Sequence, residues 1–207
     1  MSAATKAEKV REIICRLVDN LEDAIETEAV FNRANNDSAL HEAYRQTPAE
    51  PVYRLVRNTL LMQLALTLVR MHDRRTRNRA SLPHVFELLE DQDVMAAFSG
   101  EQTVAEAICG ARKKWLEIKE CETLKQLRKH RNKYFAHILM DRPDMEGPVI
   151  NKVFKLLDDT KPIVAKLALG VPGRADYDLE QLRERWWMCA DKFWSAAVAG
   201  MKASKDR

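Results

Sequence analysis

Glycine is scarce, cysteine is scattered and no long apolar run exists, and each shortage removes a class of protein. Six glycines in 207 residues leave no Gly-rich loop of the kind that cradles nucleotide phosphates. Cys15, Cys109, Cys121 and Cys189 form no Cys-x-x-Cys pair. Each falls in a helical pattern and reads as a reduced core thiol rather than part of a disulfide frame or a zinc site. The longest apolar stretch, around Leu60 to Met71, is interrupted by Gln63, Thr67 and Arg70, which makes it too polar for a bilayer span. The opening residues carry no apolar h-region, so a cytoplasmic protein with no membrane partner is expected. No repeat appears, and apolar runs that could pass for strands sit inside helical patterns.

What is present is helical periodicity and uneven charge. With 46% hydrophobic residues the chain can bury one sizeable core, and a single all-α domain over residues 1–207 is the expectation. Its core would be about residues 50–170, with an N-terminal helix, 6–32, and a C-terminal helix, 179–202, packed on it. The first helix carries Val10, Ile13, Ile14, Leu17, Leu21, Ala24 and Ile25 on one side. Residues 35–50 read as a loop, and Pro51 suits the start of a central helix to His72 with apolar residues almost all round. Short pieces are predicted over 83–90 and 92–98. A long helix from near Glu101 bends at Cys121 to Thr123, and Asp141, Pro143, Gly147 and Pro148 end it. The next helix, 149–169, is kinked or split at Pro162. Trp186, Trp187, Phe193 and Trp194 on the last helix read as core or a helix–helix interface.

The formal net charge is only +3, yet residues 111 to 133 hold nine Lys/Arg, and residues 70 to 79 hold five Arg against Asp73. Segments of this kind suit a polyanion or form a solvated helix face. Along the long helix, Val104, Ile108, Ala111, Trp115, Ile118, Cys121, Leu124, Leu127, Tyr134 and Ile138 keep helical spacing, and Arg131 takes the step between Leu127 and Tyr134. A guanidinium on an apolar stripe requires a partner anion. That anion is either a structural acid such as Asp141 or Glu184, or a phosphate.

Arg131, Asn132 and His137 are the residues whose chemistry points to a reaction. RNA is cut without metal when one group moves a proton at the ribose 2′-hydroxyl or the 5′-oxygen and a cation stabilises the charge on phosphorus. Histidine suits the proton, arginine the non-bridging oxygens. An Arg followed four to six residues on by His is expected about once in a chain of this composition, but requiring the Asn and this spacing lowers that to roughly 0.02. On an ideal helix positions 131 and 137 differ by about 120° in azimuth. Their convergence needs a long reach, a helix break or a second subunit. Arg128, Lys129 and Lys133 could follow the RNA backbone, and Tyr134 could stack a base or pack in the core.

The segment Arg131-Asn132-Lys133-Tyr134-Phe135-Ala136-His137, late in a long helix of a small all-α chain, resembles the Arg-polar-x-His motif of the HEPN superfamily. Arg70-Met71-His72-Asp73 at the end of a hydrophobic helix, the Ser81-Leu82 step and Leu127-Arg128 leading into the motif resemble its abortive-infection, AbiU-like branch, over roughly residues 50 to 140. The resemblance implies a HEPN-like helical bundle with a long central helix and additional C-terminal helices. It also implies a homodimer with the motif near the dimer cleft and metal-independent endoribonuclease activity in phage defence or a toxin–antitoxin pair, where a cognate antitoxin or regulatory protein silences the enzyme. By position, Arg131 would bind the scissile phosphate, Asn132 would assist and His137 would act as general acid or base, with RNA as partner and neither metal nor cofactor. Leu139 stands where one branch carries a tyrosine that is nucleotidylated, so that regulation is not implied here.

Two other readings stand beside it. Some HEPN proteins are inactive, and the chain would then be a non-catalytic RNA-binding or scaffold protein. The order His41, His72-Asp73 and Asp141 or Asp158 resembles the ligand order of an HD-type metal phosphohydrolase.

Overall fold

The computed structural model describes residues 2–73, 80–98, 102–136, 150–174 and 178–205, which form nine α-helices and no strand. They are α1 (Ala3–Asn36), α2 (Ser38–Tyr44), α3 (Glu50–His72), α4 (Leu82–Leu88), α5 (Gln92–Ala96), α6 (Gln102–Ile118), α7 (Glu122–Ala136), α8 (Ile150–Ala168) and α9 (Leu179–Lys205). The all-α expectation holds. None of the described helices is long and apolar enough to cross a membrane. The chain divides into two compact units, one of residues 1–21 and 65–177, the other of residues 22–64 and 178–207.

In the first unit, Val10, Ile13, Ile14, Leu17 and Leu21 of α1 are buried at helical spacing, as their periodicity requires. Helix α6 lies along α8, and α7 packs on α8 as well. Val153, Leu156, Leu157, Thr160, Ile163, Val164 and Leu167 supply the buried stripe of α8. Pro162 lies inside α8 without splitting it, because burial on both flanking turns outweighs the one backbone bond that proline cannot donate. The expected bend in the long helix is a break. Lys119–Cys121 form a turn that closes α6 and opens α7, with the Cys121 amide donating to Ile118 O at 3.0 Å.

In the second unit, α2 occupies ground that reads as loop in the sequence. The Asp37 carboxylate accepts from the Leu40 amide at 3.0 Å, a side-chain cap, and Leu40 and Ala43 are buried, with α2 packed on α9. Tyr53 and Trp194 join Ala34, Leu40 and Ala190 in one cluster. Helix α3 departs from the all-round burial expected of it. Val52 and Leu55 are more than half exposed, whereas Leu64, Leu68 and Met71 are fully buried. The last helix divides similarly, with Trp194 in the core but Trp187 and Phe193 exposed. Cys109 and Cys189 are exposed and Cys15 and Cys121 half-buried, so they are free thiols as expected but not core residues.

Candidate functional site

The C-terminus of α3 meets α7 and α8 at a corner built on His72 and Asp73. His72, the last residue of α3, is 1% exposed. Its Nε2 lies 2.9 Å from Thr160 Oγ1 on α8. The Thr160 hydroxyl already donates to Leu156 O at 2.6 Å, and a hydroxyl has one hydrogen to give. The imidazole is therefore the donor, protonated on Nε2. Its Nδ1 is buried without a hydrogen-bond partner. Burial first, and the nearby Arg128 cation second, push the His72 pKa down to about 3, so the ring is neutral at physiological pH.

Arg128 Nη2 donates to the His72 carbonyl at 2.7 Å. A cation at the last carbonyls of a helix is favourable there. Asp73 follows directly. Its Oδ1 is 3.9 Å from Arg128 Nε, and its Oδ2 accepts from Arg131 Nη1. The other side of the Arg131 guanidinium, Nε and Nη2, donates to Asn132 Oδ1 at 3.1 and 2.9 Å. Both partners of the ion pair are partly covered, with side-chain exposures of 27% for Arg131 and 14% for Asp73, so water still reaches the guanidinium.

Arg131 thus donates to its chain neighbour Asn132, and Arg128 shares their corner while Lys129 is exposed. Among the described residues of its unit, the acid facing Arg131 is Asp73. Helix α7 continues through Lys133 and Tyr134, but their side chains, like His137 and Asp141 altogether, lie outside the described residues. So does most of the basic connector, 74–79.

The described residues of the HD-type ligand order each have other partners, and Asp141 lies outside the described residues. His72 faces Thr160 and Asp73 faces the two arginines. Asp158 is paired with Lys161 at 2.8 Å, and His41 Nε2 is 2.9 Å from Asn35 O. Among the described residues no group of three or more His, Cys, Asp or Glu is placed to hold a metal ion.

His72, Asp73 and Thr160 form the part of the site that sequence reasoning assigned elsewhere or passed over. A signal for Thr160 was available, since it is a hydroxyl on the otherwise apolar stripe of α8 and a buried hydroxyl requires a partner. His72-Asp73 at the end of a helix with basic segments elsewhere is equally compatible with metal or guanidinium, and only the fold decides between them.

The all-α fold is consistent with a HEPN helical bundle. A family model described as AbiU2, a HEPN group, matches residues 7–187, and the chain belongs to that abortive-infection family. No curated protein and no solved structure matches it.

Proposed function

We propose that this protein is a metal-independent endoribonuclease of the HEPN type that acts as an abortive-infection effector. The observation that supports this most is the Arg131 guanidinium, half-buried and still reached by water at the end of α7, aligned by Asp73 and Asn132 and flanked by Arg128. Its charge is suited to the non-bridging oxygens of a scissile phosphate. In the reaction the ribose 2′-oxygen loses its proton to a base and bonds to the adjacent phosphorus while the P–O5′ bond breaks and the 5′-oxygen takes a proton. The ends are a 2′,3′-cyclic phosphate and a 5′-hydroxyl. His137 serves as general acid or base. On an ideal helix positions 131 and 137 would differ by about 120° in azimuth, a separation that favours completion of the site by a second copy of the chain, hence a homodimer. Lys129 and Lys133 guide the backbone, Tyr134 offers a stacking face, and a cognate antitoxin or sensor restrains cutting in the cytoplasm.

Arg131→Ala and His137→Ala are expected to abolish cleavage of single-stranded RNA with unchanged circular dichroism, and EDTA is expected to leave the wild type active. Retained cleavage in both variants removes the reading. The Arg131–Asp73 ion pair favours one second reading, a non-catalytic HEPN scaffold in which Arg131 is structural. Wild-type protein that binds RNA and leaves it intact would establish that reading.

A further inference from the structure

Asp73 is held more firmly than a surface carboxylate needs to be. The residue before it is anchored twice, through its ring to Thr160 of α8 and through its carbonyl to Arg128 of α7. The chain is therefore fixed where the carboxylate leaves it. Arg128 and Arg131 stand three residues apart on α7, where side chains are neighbours and two guanidiniums repel. Asp73 separates their demands, one oxygen near Arg128 Nε at 3.9 Å and the other accepting from Arg131 Nη1.

The donor count of Arg131 decides what this arrangement can do. A guanidinium has five N–H hydrogens. Nε and Nη2 each direct one at Asn132, and Nη1 directs one at Asp73. One hydrogen remains on each terminal nitrogen, so the guanidinium can still donate to an oxyanion.

We propose that Asp73 is a positioning residue that aims Arg131 at a backbone phosphate of RNA, with His72, Thr160 and Arg128 as the bracket that holds it. The inference rests on the ribonuclease reading above for the identity of the anion, though not for the bracket itself. It is a bracket rather than a plug. Asp73 is anchored through its backbone and leaves two donors uncommitted, whereas Asn132 is neutral and exposed and can yield its place to a phosphate oxygen.

The test uses the full chain in five forms: wild type, Asp73→Asn, Asp73→Glu, Arg131→Ala and Arg131→Ala/Asp73→Asn. Misaiming a reacting group by an ångström costs about 100-fold in rate. Asp73→Asn is therefore expected to lower kcat by that order while the affinity for an uncleavable 2′-O-methyl oligoribonucleotide changes little. Asp73→Glu should recover part of the loss. Millimolar guanidinium should restore cleavage to Arg131→Ala and not to the double variant, because only the former keeps the carboxylate that seats the added cation. Cleavage by Asp73→Asn at or above the wild-type rate would overturn the proposal and make Asp73 a mask over Arg131.

The bracket has a readout independent of catalysis. Millimolar guanidinium is expected to raise the melting temperature of Arg131→Ala and not that of the double variant, and an equal response of the two overturns the bracket. If the wild type cuts no RNA, the ribonuclease reading fails while this comparison still decides whether Asp73 seats a guanidinium.

Discussion

The Tyr53–Trp194 cluster and the His72–Asp73 corner both take residues from α3, and they treat polar groups in opposite ways. In the cluster the inward polar atoms are met by backbone oxygens. Tyr53 Oη donates to Ala34 O at 2.7 Å and Trp194 Nε1 to Val30 O at 3.1 Å. The Tyr44 and Tyr53 rings stack at 4.7 Å, and Trp194 meets Tyr53 edge-on. At the corner, a buried imidazole keeps a nitrogen without a partner, a carboxylate faces two arginines, and Arg131 keeps donors to give. A satisfied aromatic cluster fixes a fold, whereas incompletely satisfied polar groups at partial burial are characteristic of a site with further chemistry to do.

The largest effect expected from this contrast is on stability in the cluster. Trp194→Ala removes an indole that is 4% exposed together with its hydrogen bond, and aromatic-to-alanine changes in a core cost about 3–5 kcal/mol. Chemical denaturation followed by circular dichroism measures it. A loss under about 1 kcal/mol would show that the cluster is not a core, and the contrast would lapse.

The corner is expected to answer to acid pH. An unfolded imidazole takes up its proton near pH 6.5, whereas folded His72 stays neutral until about 3. Between those values the unfolded chain binds the extra proton, so stability contributed by neutral His72 is complete above 6.5 and is lost as pH falls towards 3. The slope is at most about 1.4 kcal/mol per pH unit. His72→Gln can present an amide N–H to Thr160 and has no proton to take up. It should flatten the acid limb of the stability profile while leaving the neutral plateau nearly in place. A limb of equal steepness in both proteins would show that carboxylates elsewhere, not His72, govern acid unfolding.

The same contrast explains what the sequence made legible. Helical period and breakers carry local information, so α1, α3, α8 and α9 were readable to within a few residues. The break before α7 fell next to the Cys121–Thr123 step where a bend was expected. Helix α2 was not readable as a helix, because its seven residues are too few to be stable alone and depend on burial against α9. The Arg131-Asn132 pair was readable as a motif, since adjacent residues need no fold to meet. Asp73 reaches Arg131 across 58 positions of chain, and Thr160 reaches His72 across 88. No spacing rule encodes such meetings. What the sequence did carry was the requirement itself, a cation on an apolar stripe that must find an anion.

The smallest expected effect lies on the exposed face of α3, and it sharpens the contrast with the buried end of that helix. Leu55 is 64% exposed and Leu64 is 0% exposed, although both are leucines on one helix and are equally apolar in sequence. Little area leaves water when Leu55 reaches its folded position, so Leu55→Ser should change the unfolding free energy from urea titration by less than about 0.5 kcal/mol in dilute protein. Leu64→Ala, by the same measurement, should cost about 2–5 kcal/mol. Repeating the Leu55 measurement at high protein concentration gives it a second edge. A midpoint that rises with concentration in the wild type and not in Leu55→Ser would mean that this face is covered in an assembly, and burial of α3 would then be completed between chains rather than within one.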